Sequence, residues 1–204
     1  MRNALIIFIK NPVFGKVKTR LASTIGDENA LLIYNQLLKH THKISVGVNA
    51  ERFLFYNEFI DLADVWENEY FNKQLQIGNE LGEKMNNAFK EILPKFKSAV
   101  IIGSDCLALT SSIIDEAYRY LENNDIVIGP AIDGGYYLLG MKKMHSSLFK
   151  NITWSTPQVL EQTIAICKKQ KLAYCLLPDL SDIDVEDDLN SELNKYLLKK
   201  NNSA

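Results

Sequence analysis

The stretch LIIFIKNPVFGKVKTRL, residues 5–21, decides the fold class. Its first five residues are all apolar, which is typical of a strand covered on both faces of a parallel sheet. Pro12 and Gly15 then predict a loop. In open α/β sheets, ligands bind where such a loop leaves the carboxyl end of a strand. Four cations follow this strand: Lys10, Lys16, Lys18 and Arg20.

Short apolar runs alternate with helical patterns along the rest of the chain. The predicted strands are residues 5–9, 52–56, 74–77, 99–102, 126–129, 136–140 and 173–177. The predicted helices are residues 28–43, 80–96, 111–121, 156–169 and 185–200. This alternation predicts right-handed βαβ units in a three-layer α/β/α fold with a mostly parallel central sheet. Because no linker, repeat or low-complexity stretch interrupts the pattern, we expect a single domain over residues 1–204.

The composition excludes several classes of protein. With 47% hydrophobic and 24% charged residues, the chain matches soluble globular proteins rather than disordered or collagen-like ones. A net charge of -2 gives no basic excess for nucleic acid. Three cysteines without Cys-x-x-Cys spacing indicate neither a disulfide framework nor a zinc site. Since the opening apolar run is too short for a signal peptide or a membrane span, we expect a cytoplasmic protein without a membrane partner.

The cationic loop is the first candidate site. Its backbone amides, together with Lys18 and Arg20, suit phosphate oxygens. A phosphate-binding P-loop is excluded, because its first glycine is missing and Val17 follows the Gly-Lys pair. The alternative interpretation is a solvated basic loop.

The second candidate is the stretch around Gln76, Gly78 and Gly82. It combines a strand end, two glycines that permit close backbone approach, and a helix start, so it suits a nucleotide base or phosphate. An ordinary β-to-α turn has the same pattern.

Carboxylates form the third candidate. Asp105 follows the buried strand 99–102, and a carboxylate there suits Mg²⁺ or Mn²⁺ with ligand phosphates. Asp182 or Asp184 could complete that metal site, and the sequence does not distinguish the two. A turn or cap residue is the alternative role for Asp105.

Two further stretches suggest substrate contacts. The paired glycines Gly134 and Gly135 let a ligand approach the backbone, while Asp133 can accept hydrogen bonds from hydroxyl groups; a plain Asp-Gly-Gly turn is the alternative. Trp154, followed by two hydroxyl residues, offers an aromatic platform for a sugar, although a helix N-cap at Ser155 or Thr156 is simpler.

Taken in order, these segments resemble the DUF2064 group of glycosyltransferase-like proteins, which have the GT-A fold of nucleotide-diphospho-sugar transferases. They are also similar to the guanylyltransferases of coenzyme F420 synthesis and to molybdenum-cofactor nucleotidyltransferases. The matching residues are Lys10, Pro12, Gly15, Lys18, Thr19, Arg20, Leu21, Gln76, Gly78, Leu81, Gly82, Lys84, Met85, Gly103 to Cys106, Asp133 to Gly140, Trp154 to Thr156, and Asp182 to Asp184. The chain departs from the family pattern at Leu107, where proline is usual, and at Val185 and Glu186, which replace Thr-Pro.

The resemblance implies roles for some of the matching residues. The nucleotide would be held by Lys10, Pro12, Gly15, Lys18, Arg20, Gln76, Gly78 and Gly82. The substrate would contact Asp133, Gly134, Gly135 and Trp154. Asp105 and Asp184 would bind Mg²⁺ or Mn²⁺, and the catalytic residues would be Lys18, Arg20 and Asp105.

The function that the resemblance implies is a metal-dependent glycosyltransferase with a nucleotide-sugar donor and a small-molecule acceptor. The alternative is a guanylyltransferase-like nucleotidyltransferase that releases pyrophosphate from a nucleoside triphosphate. A second alternative is a non-catalytic nucleotide-binding module. Different reactions occur on this fold, so the fold alone does not choose among them.

Overall fold

The computed structural model describes residues 2–190 together with residues 193, 195 and 197. At its centre lies a seven-stranded sheet in the order β3-β2-β1-β4-β6-β5-β7. The strands are β1 Asn3–Ile9, β2 Glu51–Tyr56, β3 Phe71–Leu75, β4 Ser98–Ile102, β5 Ile126–Pro130, β6 Tyr136–Met141 and β7 Tyr174–Leu176. Among these strands β6 is antiparallel to both of its neighbours, and the other pairs are parallel. The predicted mostly parallel sheet is therefore confirmed.

Helices cover both faces of the sheet. They are α1 Thr19–Ile25, α2 Asp27–Val46, α3 Leu81–Ile92, α4 Ser111–Tyr120 and α5 Val159–Lys169. On one face, Tyr34 of α2 and Ile114 of α4 pack in the same buried cluster as Leu5. On the other face, Phe89 of α3 packs with Ile6 and with residues of α5. The result is the predicted three-layer α/β/α arrangement.

The central strand β1 positions the site. Its residues alternate between the two buried clusters, which explains why its sequence is apolar at nearly every position. Ile9 lies opposite Tyr56 of β2, and Ile7 lies opposite Ile102 of β4, all in parallel register. The segments that follow these three strands consequently leave the sheet at the same edge.

All seven predicted strands are present, but the predicted strand 74–77 is displaced. The observed strand is β3, which ends at Leu75. Phe71 is its one buried residue, so this edge strand lacks the apolar pattern that marks a central strand.

The helix boundaries differ from the predicted ones for identifiable reasons. Pro94 ends the predicted helix 80–96 early, in a 3₁₀ turn at Leu93–Lys95. The predicted helix 156–169 begins late because Thr156 Oγ donates to Thr153 O at 2.6 Å and forms a separate turn. The sequence pattern does not predict α1 at all.

The last predicted helix, 185–200, is replaced at its start by a 3₁₀ turn at Glu186–Asp188 and two residues without helical structure. Residues 193, 195 and 197 are helical, and the other residues of 191–200 lie outside the described residues. No helix in the described part of the chain is long and apolar enough to cross a membrane.

Candidate functional site

A cleft of about 470 Å³ opens at the carboxyl edge of β1 and β4. Gly103, Asp105 and Asp182 line it, together with Gln76 from the segment before α3. A smaller cavity of about 90 Å³ adjoins it, lined by Lys18, Arg20 and Asp184 among others. Both cavities share Lys10, Tyr34 and Asp105, so they form one continuous site.

The cationic loop that enters this site is fixed by asparagines. Asn11 is 2% exposed, and its backbone N–H donates to Asn57 Oδ1 at 2.6 Å. Asn11 Nδ2 donates to Phe59 O, while Asn11 Oδ1 accepts from the backbone of Glu58 and Phe59. The loop after β1 is therefore attached to the segment that follows β2.

Lys18 joins the two candidate metal ligands. Its side chain is 5% exposed, and its Nζ lies 2.8 Å from Asp105 Oδ1 and 3.1 Å from Asp184 Oδ1. The exposed Arg20 donates to the other oxygen, Asp184 Oδ2, at 2.7 Å. The cations predicted to bind phosphate and the carboxylates predicted to bind metal thus meet at one point.

Backbone hydrogen bonds bring the second acidic segment to Asp105. The N–H of Ile183 donates to Asp105 O at 2.9 Å, which places Asp182 and Asp184 on either side of that contact. The N–H of Asp184 donates in turn to Asp188 Oδ2 at 2.8 Å. Because Ile183 is buried, this contact is also part of the core.

Asp182 and Asp184 have different surroundings. Asp184 is neutralised by two cations, whereas Asp182 lines the main cleft. Burial, with the negative charges of Asp105 and Asp133, raises the pKa of Asp182 to about 7, although Lys18 opposes the shift. Asp182 is therefore the acid in this site that titrates near neutrality.

These carboxylates fit a divalent cation that also binds ligand phosphates. No group of three metal-ligating side chains is present among the described residues. Mg²⁺ is commonly held by one or two carboxylates and by substrate phosphates, so Asp105 and Asp184 are sufficient for that kind of site. The ammonium of Lys18, within hydrogen-bond distance of both, shows that the pair can share one cation.

Gln76 lies in the cleft and also holds the strand ends together. Its Nε2 donates to Ile9 O and to Phe55 O, each at 3.0 Å. Its Oε1 accepts no hydrogen bond from a described residue, so it is an acceptor available to a ligand. Gly78, nearby, has a φ of 137°, which only glycine adopts readily, and it lies in the bend before α3.

Two of the predicted ligand-binding glycines are explained by packing. A Cβ on Gly82 would lie 2.2 Å from the indole of Trp154. A Cβ on Gly134, whose φ is 88°, would lie 2.2 Å from Pro157 O. The N–H of Gly135 donates to Asp133 Oδ1 at 2.9 Å, which makes the local turn that is the alternative interpretation of this motif.

The predicted site residues accordingly fall into three groups. Lys10, Lys18, Arg20, Gln76, Asp105 and Asp184 line the two connected cavities. Pro12, Gly15, Gly78, Gly82, Asp133, Gly134 and Gly135 line neither of them. Trp154 lines a separate cavity of about 440 Å³ on another side of α3.

Sequence reasoning does not identify Asn57, Tyr34 or Ser104 as site residues. Asn11 and Asn57 lie 46 positions apart, and their pairing has no local signal. Tyr34 fits the apolar stripe of α2, so its pattern indicates the core alone. Ser104 lies in the Gly103–Cys106 motif, and its position next to Asp105 is the one feature of the sequence that could have identified it. Burial raises the pKa of the Cys106 thiol to about 12, so this thiol in the cleft wall keeps its proton at neutral pH.

Comparison with known proteins places these features in a family. The sequence profile of DUF2064, described as "Uncharacterized protein conserved in bacteria", matches residues 42–156, more than half of the chain. The 2-phospho-L-lactate guanylyltransferase of Methanocaldococcus jannaschii is 26% identical over 190 residues, which cover 90% of this chain and 80% of that protein.

Solved structures show the same fold. A protein from Desulfovibrio desulfuricans G20, assigned as a nucleotide-diphospho-sugar transferase, has a TM-score of 0.83 and 27% identity, over 98% of this chain and 95% of its own. The inositol-1-phosphate CTP transferase from T. maritima has a TM-score of 0.59 at 15% identity, over 98% of this chain and 96% of its own. The prediction of a transferase with the nucleotide-diphospho-sugar transferase fold is confirmed. The chain belongs to the DUF2064 family.

Proposed function

We propose that this protein is a nucleotidyltransferase that uses a nucleoside triphosphate, modifies a small acceptor and releases pyrophosphate. The observation that carries the proposal is the meeting of Lys18 and Arg20 with Asp105 and Asp184 at one edge of the sheet. Cations beside carboxylates suit a phosphate chain that is bound with a divalent metal ion. The relative from Methanocaldococcus jannaschii, a guanylyltransferase, supports the same reaction class.

Each part of the site has a role in this reaction. Lys18 and Arg20 bind the β- and γ-phosphates and stabilise the negative charge that develops on the leaving pyrophosphate. Asp105, with Asp184, holds Mg²⁺ or Mn²⁺, which supplies Lewis-acid stabilisation at the phosphates when bound. When phosphates are present, Lys18 exchanges one of its carboxylate partners for a phosphate oxygen, which frees a carboxylate oxygen for the divalent cation.

The main cleft accommodates the nucleoside and the acceptor. Gln76 offers its Oε1 as a hydrogen-bond acceptor to the base or ribose. Gly103 leaves open space at the tip of β4, since no heavy atom beyond its own residue and its chain neighbours lies within 4 Å of the position of a Cβ. Because nucleoside triphosphates are abundant in the cytoplasm, we propose that the reaction takes place there.

Glycosyl transfer from a nucleotide sugar is the second candidate. The similar structure from Desulfovibrio desulfuricans G20, assigned as a nucleotide-diphospho-sugar transferase, favours it. The same cations and carboxylates would then hold a diphosphate, and a nucleoside diphosphate would leave instead of pyrophosphate. We place this candidate second because a triphosphate makes fuller use of the three cations, Lys10, Lys18 and Arg20, that line the smaller cavity.

Thermal unfolding in Mn²⁺ with a panel of nucleoside triphosphates and nucleotide sugars tests the proposal. A ligand at about 100 times its Kd stabilises by about 2.7 kcal/mol, which is a shift of roughly 5–10 °C for a chain of this size. Stabilisation by a triphosphate, followed by pyrophosphate release with a pool of small phosphorylated acceptors, is the expected result. Stabilisation by a nucleotide sugar alone would replace it with glycosyl transfer, and silence across the panel would refute both.

Asp105→Asn tests the proposed metal site, since Asp105 lies in both cavities. It should abolish the metal-dependent part of the shift. An unchanged metal-dependent shift would show that Asp105 does not bind the metal ion.

A further inference from the structure

We infer that Tyr34 is a positioning residue, whose hydroxyl fixes the start of the cationic loop against the segment that carries Asp105. Tyr34 belongs to α2 and is 1% exposed, yet it contributes to the walls of both site cavities. Its hydroxyl therefore lies where the core meets the ligand cleft. This inference rests on the proposed nucleotide binding.

The hydroxyl makes three hydrogen bonds that use its full capacity. Lys10 N donates to Tyr34 Oη at 2.8 Å, and Tyr34 Oη donates to Lys10 O at 3.0 Å. Ser104 Oγ lies 3.3 Å from Tyr34 Oη. A phenol has one proton and two lone pairs, so with its proton on Lys10 O it accepts from Ser104.

The hydrogen bonds of the Tyr34 hydroxyl begin where the strand pairing of the sheet ends. The last paired residue of β1 is Ile9 on the β2 side and Ile7 on the β4 side, so the backbone of Lys10 lies beyond the ladder. Without Tyr34, the polar backbone groups of Lys10 would lack these partners at the start of the loop. Burial raises the pKa of Tyr34, with hydrogen bonding opposing the shift, so the phenol keeps its proton.

The loop is thereby held to the Gly103–Asp105 segment at two places. Tyr34 connects Lys10 to Ser104 at the start of the loop, and Lys18 contacts Asp105 near its end. A loop fixed in this way loses less conformational freedom when a ligand binds. The hydroxyl of Tyr34 should therefore contribute to nucleotide affinity without a hydrogen bond of its own to the nucleotide.

Tyr34→Phe tests this role, and Tyr118→Phe is its matched control. Tyr118 is also buried, and its hydroxyl donates to Ala4 O at 2.8 Å, near the opposite end of β1. Each variant keeps its ring and loses a buried hydroxyl, so each should lower the melting temperature by a few degrees, roughly 2–4 °C.

Calorimetric titration with GTP, CTP, ATP and UTP, each with Mg²⁺, separates the two variants. For the nucleotide that binds the wild-type protein, we expect Tyr34→Phe to raise the Kd about tenfold and Tyr118→Phe to leave the Kd unchanged. Amide hydrogen exchange at Lys10 in the ligand-free protein should accelerate in Tyr34→Phe alone.

The possible failures are distinguishable. Wild-type affinity in Tyr34→Phe, or equal weakening in both variants, would overturn the positioning role and leave the proposed function standing. Failure of wild type to bind any of the four triphosphates would refute the nucleotidyltransferase, and this inference with it.

Discussion

Replacing Gly103 with alanine should separate folding from ligand binding. Gly103 follows β4 and lines the main cleft. Apart from Gly103 itself and its two chain neighbours, no heavy atom lies within 4 Å of the position of a Cβ there, and Gly103 is not among the glycines with positive φ. The folded protein consequently has both the space and the backbone conformation for alanine, and the added methyl group would occupy cleft volume.

The two expected effects have opposite signs. Alanine restricts the unfolded chain, so Gly103→Ala should stabilise the ligand-free protein by about 0.4–1 kcal/mol, or roughly 1–4 °C. A methyl group forced into a packed ligand interface costs about 1–3 kcal/mol, which corresponds to a five- to 150-fold loss of nucleotide affinity.

Gly134→Ala is the contrasting variant. Its φ of 88° and the 2.2 Å approach to Pro157 O leave no room for a Cβ. The left-handed conformation costs a residue with a Cβ about 1–2 kcal/mol, and the overlap adds about 1–3 kcal/mol. We expect its melting temperature to fall by at least about 4 °C.

Thermal unfolding without ligand and calorimetric titration with nucleotide measure the two effects separately. If Gly103→Ala destabilised the protein as much as Gly134→Ala does, the inference that a methyl group fits at Gly103 would be wrong. If Gly103→Ala bound nucleotide as wild type does, the nucleotide would not occupy this part of the cleft.

Three further substitutions test the electrostatics of the molecule. Lys18→Met removes the ammonium beside Asp105 and should weaken nucleotide binding by about 1.5–3 kcal/mol in the same titration; wild-type affinity would mean that the phosphates bind elsewhere. The pKa of Asp182 is raised to about 7, so the native state keeps a proton that the unfolded chain has released, and wild-type stability should fall as pH rises from about 4 to 7. Asp182→Asn should reduce that slope in metal-free thermal unfolding, and an identical slope would contradict the buried acid. Lys73→Met breaks the 2.7 Å ion pair of Lys73 with Asp64, whose side chains are 4% and 18% exposed, so urea unfolding should show a loss of about 3 kcal/mol. A loss under about 1 kcal/mol would show that the hydrogen bonds that Asp64 accepts from the Tyr56 hydroxyl and the Trp66 backbone compensate.

The fold could be predicted because its central strands have an unambiguous pattern. Residues 5–9 and 99–102 are apolar at every position, which follows from burial on both faces. The edge strand β3 and the short helix α1 have no such pattern. β3 has a single buried residue, and α1 begins after Lys18, whose left-handed φ of 50° no propensity rule anticipates.

The charged residues of the site could be predicted from the sequence, but the residues that hold them in place could not. Lys18 and Asp105 stand out because each follows a buried strand, and parallel register brings such segments to one edge. The structure also shows that the glycines have different roles, because packing requires glycine at positions 82 and 134, whereas Gly103 leaves open space. That distinction depends on neighbours distant in sequence, which a motif does not contain.

Under the proposed function, the attachments of the cationic loop separate the position of the phosphates from the part of the cleft that would select the substrate. The loop is attached to the segment after β2 through Asn11 and Asn57, to α2 through Tyr34, and to the segment after β4 through Lys18. These attachments define where the phosphates would lie, whereas the cleft beyond Gly103 would receive the base and the acceptor. Under the proposed function, substitutions in the cleft would therefore alter specificity while the phosphate position stays fixed, which is compatible with one fold serving several transfer reactions.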